Sequence, residues 1–320
     1  MRRRRKNKSR YRIIPITSFL IFLVCAGLSH ISIPKMKSDE VSLSLPSAPD
    51  LVRDIAETGL PSEVMGEVPV IEEINVEGVN DTEVFIQNLT DFDIDMAALL
   101  KNDIPVQLSP KGVQVLIVHT HGSESYTPSE AYQFEYTEND RTLDTRYNVV
   151  RIGDELEEIL ENNGIKTLHV RDIFDSPSYS GSYSRSLEAI TQAFKDNPSI
   201  KIVIDIHRDA MIAKDGTKYK VTADIDGKTA AQLMFVTGTS GGGLVHDNWQ
   251  KNLTFHGRIQ QEMNSRYPGI MRPINIRESR FNQHVCPGSM LLEVGTSGNT
   301  LDEALYSIQL FGEVMSDMLK

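Results

Sequence analysis

The stretch QVLIVHTHGSE, residues 114 to 124, decides the fold. Four apolar residues, Val115 to Val118, run directly into His119, His121 and Glu124. A short unbroken apolar run of this kind reads as a strand buried on both faces, as in a parallel sheet. Two later runs repeat the design: IKIVIDIHR (200–208) finishes near His207, and SMLLEVG (289–295) carries Glu293. Helical patterns lie between the runs. In NVVRIGDELEEILENNG (148–164), Val149, Ile152, Leu156, Ile159 and Leu160 recur at helical spacing, and Gly164 is a natural stop. IKTLHV (165–170) reads as another strand, and LEAITQAFKDNP (187–198) as a helix ended by Pro198. YKVTADIDGKTAAQLMFVTG (219–238) has two strand-like halves around Asp226–Gly227, a hairpin signal. Helices are expected over 246–269, stopped by Pro268, and over 299–319. Strands alternating with helices predict an α/β fold, a mostly parallel central sheet with helices on both faces.

In such sheets ligands bind at the carboxyl ends of the strands. That rule gathers His119, His121, Glu124, His207 and Glu293 into one candidate constellation. Two imidazoles and a carboxylate with one open position make a catalytic zinc site, and a further carboxylate can take a proton from a bound water. On an extended strand His119 and His121 face the same side; if the chain turns after His119, only one reaches the metal. Glu124 is either a ligand or a group that orients one. Glu293 sits in an otherwise apolar strand, where an unpaired carboxylate is costly. The plainer account of it is an ion pair with Arg277 or Arg280. His169 reads as structural, and His246, His256 and His284 as rim or surface groups. There is no HExxH, and GTSGGG (238–243) lacks the Lys-Ser/Thr of a phosphate loop, so it reads as a flexible loop near the site.

The N-terminal third has a different character. Residues 1–12 hold eight Lys or Arg and no acid. The whole chain has a formal charge of −11, so the other residues carry −19 once those eight are set aside. An acidic body argues against nucleic-acid binding. The basic head precedes residues 13–33, which hold no charge and are long enough to cross a bilayer as a helix. Basic residues stay on the cytoplasmic side, so the remainder is expected outside, in a single-pass membrane protein. A cleaved signal peptide is the rival reading, against which stands the absence of a clear A-x-A site. Residues 34–106, rich in proline and acids, read as a tether with local structure, including a short helix within 89–104, and 107–320 as the catalytic domain. Cys25 lies in the apolar span and cannot readily pair with Cys286, so disulfides do not build this fold.

VLIVHTHGSESYTP, NVVRIGDEL, SPSYSGSY, DIHRDA, GTSGGGLVHDNWQKNLTF and LLEVGTSGNTLDEAL, in that order, resemble the stage II sporulation protein P family over residues 107–320. The anchored N-terminus fits it too. That family resembles the zinc-dependent N-acetylmuramoyl-L-alanine amidases. The resemblance implies zinc held by His121 and His207, with Glu293 of LLEVG as the catalytic glutamate. For the carboxylate ligand it leaves Glu124, the preferred choice beside His121, or Asp144; His119 is kept as an additional or alternative imidazole ligand from the strand-end reading. It implies amidase and endopeptidase activity on peptidoglycan during forespore engulfment, and two partners, the stage II sporulation proteins D and M. The alternatives are a non-catalytic wall-binding or scaffold module, and a zinc carboxypeptidase in which Arg277 and Arg280 would bind a substrate carboxylate.

Overall fold

In the computed structural model, the described residues are 70–74, 84–109 and 111–320. The first described elements are β1 (Ile71–Ile74), β2 (Ile86–Asn88) and a short helix α1 (Met96–Leu99). Next come β3 (Val115–Val118), α2 (Val149–Asn162), β4 (Thr167–His169), α3 (Ser182–Asp196) and β5 (Ile202–Asp209). The hairpin strands β6 (Lys218–Ile225) and β7 (Lys228–Ala231) follow, then β8 (Leu233–Gly238), α4 (Trp249–Arg266) and β9 (Ile274–Arg277). β10 (Gly288–Thr296) and α5 (Leu301–Met318) close the chain.

Seven strands form the main sheet in the order β2-β9-β8-β10-β5-β3-β4. Every neighbouring pair is parallel except β8 with β10. The alternation along β3 shows why its run is unbroken: Val115 and Ile117 pack into one core cluster, Leu116 and Val118 into another. The first cluster takes the apolar faces of α2, α4 and α5, and the second takes Ile190 and Ala193 of α3. Helices therefore cover both faces, and a strand between them has no polar side. Local chemistry sets the helix ends. Asn148 caps α2 by accepting from Val150 N at 3.0 Å. Gly164, at φ +81°, takes the left-handed turn that ends it. Thr300 and Glu303 form a capping box on α5.

Folded structure begins before residue 107. β2 is an edge strand of the main sheet, paired in parallel with β9. Val84, Ile86, Phe92, Ile94, Met96 and Leu99 pack against the main core, and the Phe92 ring lies 5.0 Å from that of Trp249. Residues 84–106, within the stretch read from sequence as a tether with local structure, thus carry that local structure packed against the main sheet and core. Their apolar groups are too short and too interrupted by acids to show a period, yet they match a sheet edge that exists only after folding. β1, also from the expected tether, pairs in parallel with β6 in a separate three-stranded sheet, β1-β6-β7. The basic head, the apolar span at 13–33 and the rest of 34–69 lie outside the described residues. Among the described residues no helix is long and apolar enough to cross a membrane.

Candidate active site

The three strand ends singled out above are neighbours. β10, β5 and β3 lie side by side in the sheet, and Glu293 stands in register with His207. After Val118 the chain leaves β3 and turns, and the two histidines part. His119 is fully buried, with Nδ1 3.2 Å from the Ile206 carbonyl and Nε2 2.7 Å from His169 Nε2. Both of its ring nitrogens are therefore engaged with other partners. His121 goes to the site instead. Its ring stacks on Tyr179 with centroids 4.3 Å apart, and meets Tyr183 and His207 edge-on at 5.5 and 5.2 Å. Burial lowers its pKa to about 3, so the ring is neutral, and its buried Nδ1 has no hydrogen-bond partner.

Glu124 is buried beside it. Its Oε2 accepts from the Arg208 backbone N–H at 3.2 Å and lies 3.4 Å from His207 Nδ1; its Oε1 lies 3.6 Å from Arg141 Nη2. Burial alone would raise this carboxyl, but the hydrogen bond and charge of His207, with Arg208 and Arg141, hold it well below the usual range. Arg208 is also buried and ties the loop to β5, donating to the carbonyls of Ser125 (2.9 Å) and Asp140 (2.7 Å). Arg141 is fixed by Asp175 and by Ser123 Oγ at 3.0 Å, and its guanidinium lies over the Tyr179 ring.

His207 stands between two carboxylates. Its Nε2 is 3.1 Å from Asp205 Oδ1, without the alignment of a hydrogen bond. Burial would lower its pKa, but Asp205 first and then Glu124 raise it well above the ordinary imidazole value. Asp205 is itself secured by the Thr120 backbone N–H at 2.8 Å and by Thr120 Oγ1 at 2.6 Å. On β10, Glu293 Oε2 is buried and unpartnered. Burial, then the nearby charge of Asp209, raises its pKa to about 8, against the opposing pull of His207.

These are the residues that would hold a zinc ion, although among the described residues their donor atoms do not all lie within 4.8 Å of one another. Two imidazoles and one carboxylate converge, His121 Nδ1 is a buried ring nitrogen with no other partner, and Asp205 stands behind His207 as an orienting carboxylate. Asp144 is not brought to them: both its oxygens are taken by Arg146. Arg277 and Arg280 are not paired with Glu293, whose charged neighbours are Asp209, His207, Glu124 and Arg272. Arg280 donates to the Val245 carbonyl at 3.1 Å, in the loop that follows β8. Sequence reasoning missed Asp205, Arg208, Arg141, Asp175 and the two tyrosines. Asp205 left a signal, a carboxylate two residues before His207 in an apolar run, where both side chains face the same way. Tyr179 and Tyr183 lie in SPSYSGSY, but nothing in that string shows that it folds against His121.

The His119–His169 contact depends on one glycine. A Cβ on Gly153, in the middle of α2, would lie 2.5 Å from His169 Nε2 and 2.6 Å from His119 Nε2. Gly153→Ala is expected to lower stability by about 1–3 kcal/mol through overpacking, which exceeds the ~1 kcal/mol gained in helix propensity. Urea denaturation measures this; an unchanged or raised midpoint would show that the imidazoles yield.

A family model described as stage II sporulation protein P matches residues 61–316. The stage II sporulation protein P of Bacillus subtilis (strain 168) is 29% identical over 229 residues, covering 68% of this chain and 54% of that protein. The chain thus matches about half the length of that relative. Among solved structures, the chain is similar to the catalytic domain of CwlV, an N-acetylmuramoyl-L-alanine amidase from Bacillus (Paenibacillus) polymyxa var. colistinus, at 10% identity and TM-score 0.38, over 65% of this chain and 100% of that one. It is also similar to the apo form of Ami1, an N-acetylmuramyl-L-alanine amidase from Mycobacterium abscessus, at 11% identity and TM-score 0.40, over 65% and 99% of the two chains.

Proposed function

This chain belongs to the stage II sporulation protein P family, and we propose that it is a zinc-dependent peptidoglycan hydrolase acting on the amide between N-acetylmuramic acid and L-alanine. One observation carries the reading: adjacent strand ends bring His121, Glu124 and His207 together, with Glu293 in register beside His207. Bound by those three residues, zinc would polarise the amide carbonyl and acidify a water. His207 first, then Arg208 and Arg141, hold Glu124 ionised, and Asp205 lies 3.1 Å from the far nitrogen of the His207 ring. Glu293 is the group suited to take a proton from the attacking water and return it to the leaving nitrogen. A wall-binding scaffold without chemistry has no use for a buried, unpartnered carboxyl oxygen at this position.

Cleavage of stem-peptide cross-links, action in forespore engulfment and association with stage II sporulation proteins D and M complete the reading and rest on family membership. The placement of the domain outside the cell membrane, anchored through residues 13–33, rests on the basic residues ahead of that span. The test is incubation of the full chain with purified peptidoglycan, with and without a chelator, followed by identification of the cleaved bond. Release of stem peptides with a free L-alanine amine, stopped by chelator and restored by zinc, is expected. Binding of the polymer without any cleavage, with zinc present, would favour the scaffold instead.

A further inference from the structure

A second group of polar side chains converges where α2 meets β4. Asp154 and Glu157 stand three residues apart on α2, so both face the same way, and His169 ends β4. One donor atom from each lies within 4.8 Å of the other two. His169 Nδ1 is 3.3 Å from Asp154 Oδ1 and 3.5 Å from Glu157 Oε2. The His169 side chain has no exposed surface, and its Nδ1 makes no hydrogen bond. It is a buried ring nitrogen aimed at two carboxylates.

Behind it, His169 Nε2 is engaged with His119 Nε2 at 2.7 Å, and His119 Nδ1 with the Ile206 carbonyl at 3.2 Å. Nδ1 is therefore the nitrogen left to face the two carboxylates, and one imidazole nitrogen with two carboxylates is a donor set for a cation. Arg171 supplies part of the charge, with Nε 2.7 Å from Asp154 and Nη2 2.5 Å from Glu157. It gives Nδ1 no hydrogen bond, and one guanidinium against two carboxylates leaves a formal −1. Its side chain is half exposed.

We propose that Asp154, Glu157 and His169 Nδ1 form a second site for a divalent transition metal, separate from the one that His121, Glu124 and His207 would make, and that Arg171 withdraws as the metal enters. One imidazole nitrogen with two carboxylates suits zinc, and manganese more weakly. The metal would clamp α2 to the end of β4. The His169–His119–Ile206 chain leads from there to the residue preceding His207.

The probe is Zn²⁺, counted by equilibrium dialysis on the full chain in detergent. Asp154 and Glu157 are partly exposed, so Asp154→Asn with Glu157→Gln should fold, and a thermal melt verifies it. The wild type is expected to hold one more zinc per chain than this double variant. That difference counts the second site alone, so it stands even if the strand-end site holds no zinc. Arg171→Ala removes the competing cation and should tighten the extra equivalent by roughly tenfold, a usual size for coupled binding. Equal zinc content in the wild type and the folded double variant would overturn the proposal. So would an Arg171→Ala chain that binds the extra zinc no more tightly, because the guanidinium would then not be holding a metal position.

Discussion

Glu293→Gln should leave a folded, zinc-binding chain that has lost about 10²–10⁴-fold of its peptidoglycan hydrolysis, the usual contribution of a general base. Glutamine keeps the shape of the side chain on β10 and removes its proton affinity. No ion pair is lost, because Glu293 Oε2 has no partner. Stability provides a second readout. The folded pKa of Glu293 is raised to about 8 from 4.5, so the metal-free chain draws stability from its protonated form. That contribution is complete below about 4.5 and is lost as pH rises through about 8. The Gln variant should lack this decline and be the more stable protein in alkaline, metal-free buffer. Near-normal hydrolysis by the folded variant would remove Glu293 from the chemistry.

His207→Ala should abolish zinc binding at the strand-end site and hydrolysis with it. It removes one of two imidazole ligands and leaves Asp205 and Glu124 facing each other without the cation between them. Loss of one partner from a buried ionic group costs on the order of 3 kcal/mol in the metal-free chain. Wild-type binding should also be linked to protons. The His207 pKa is raised, so its ionic contribution to the metal-free fold is complete below the unfolded value and is lost as pH rises through the folded one. Zinc must expel that proton, so affinity should climb about tenfold per pH unit until His207 is neutral. Zinc titrations between pH 6 and 8 measure the slope; a flat profile, or full occupancy of this site in the Ala variant, would show that His207 is not a ligand.

Much of the main sheet was legible because its strands are buried on both faces. Runs such as VLIV and IVIDI have no polar side to confuse the period, and helices like α2 carry one apolar stripe. β2 and β9 were not legible. IQN and INIR are three and four residues long, and each is a strand only because a neighbour pairs with it. The two histidines of HTH illustrate the same limit within the site. Two residues apart, they would share a face on an extended strand, but the turn after Val118 sends His121 towards His207 and His119 towards His169. No spacing rule announces that turn.

The sequence by itself determined the α/β class, the three apolar runs and the residue types at their carboxyl ends, because burial and periodicity are properties of neighbouring residues along the chain. Only the tertiary structure decided that β10, β5 and β3 are adjacent, that Asp205 and Glu124 flank His207, and that Tyr179 covers His121. Some of these contacts join residues more than 80 positions apart, such as Glu124 and His207. Their energies depend on a buried environment that the unfolded chain does not have. A carboxyl such as Glu293 has an ordinary pKa as a string of letters, and acquires its raised one when folding removes the water around it and sets Asp209 nearby.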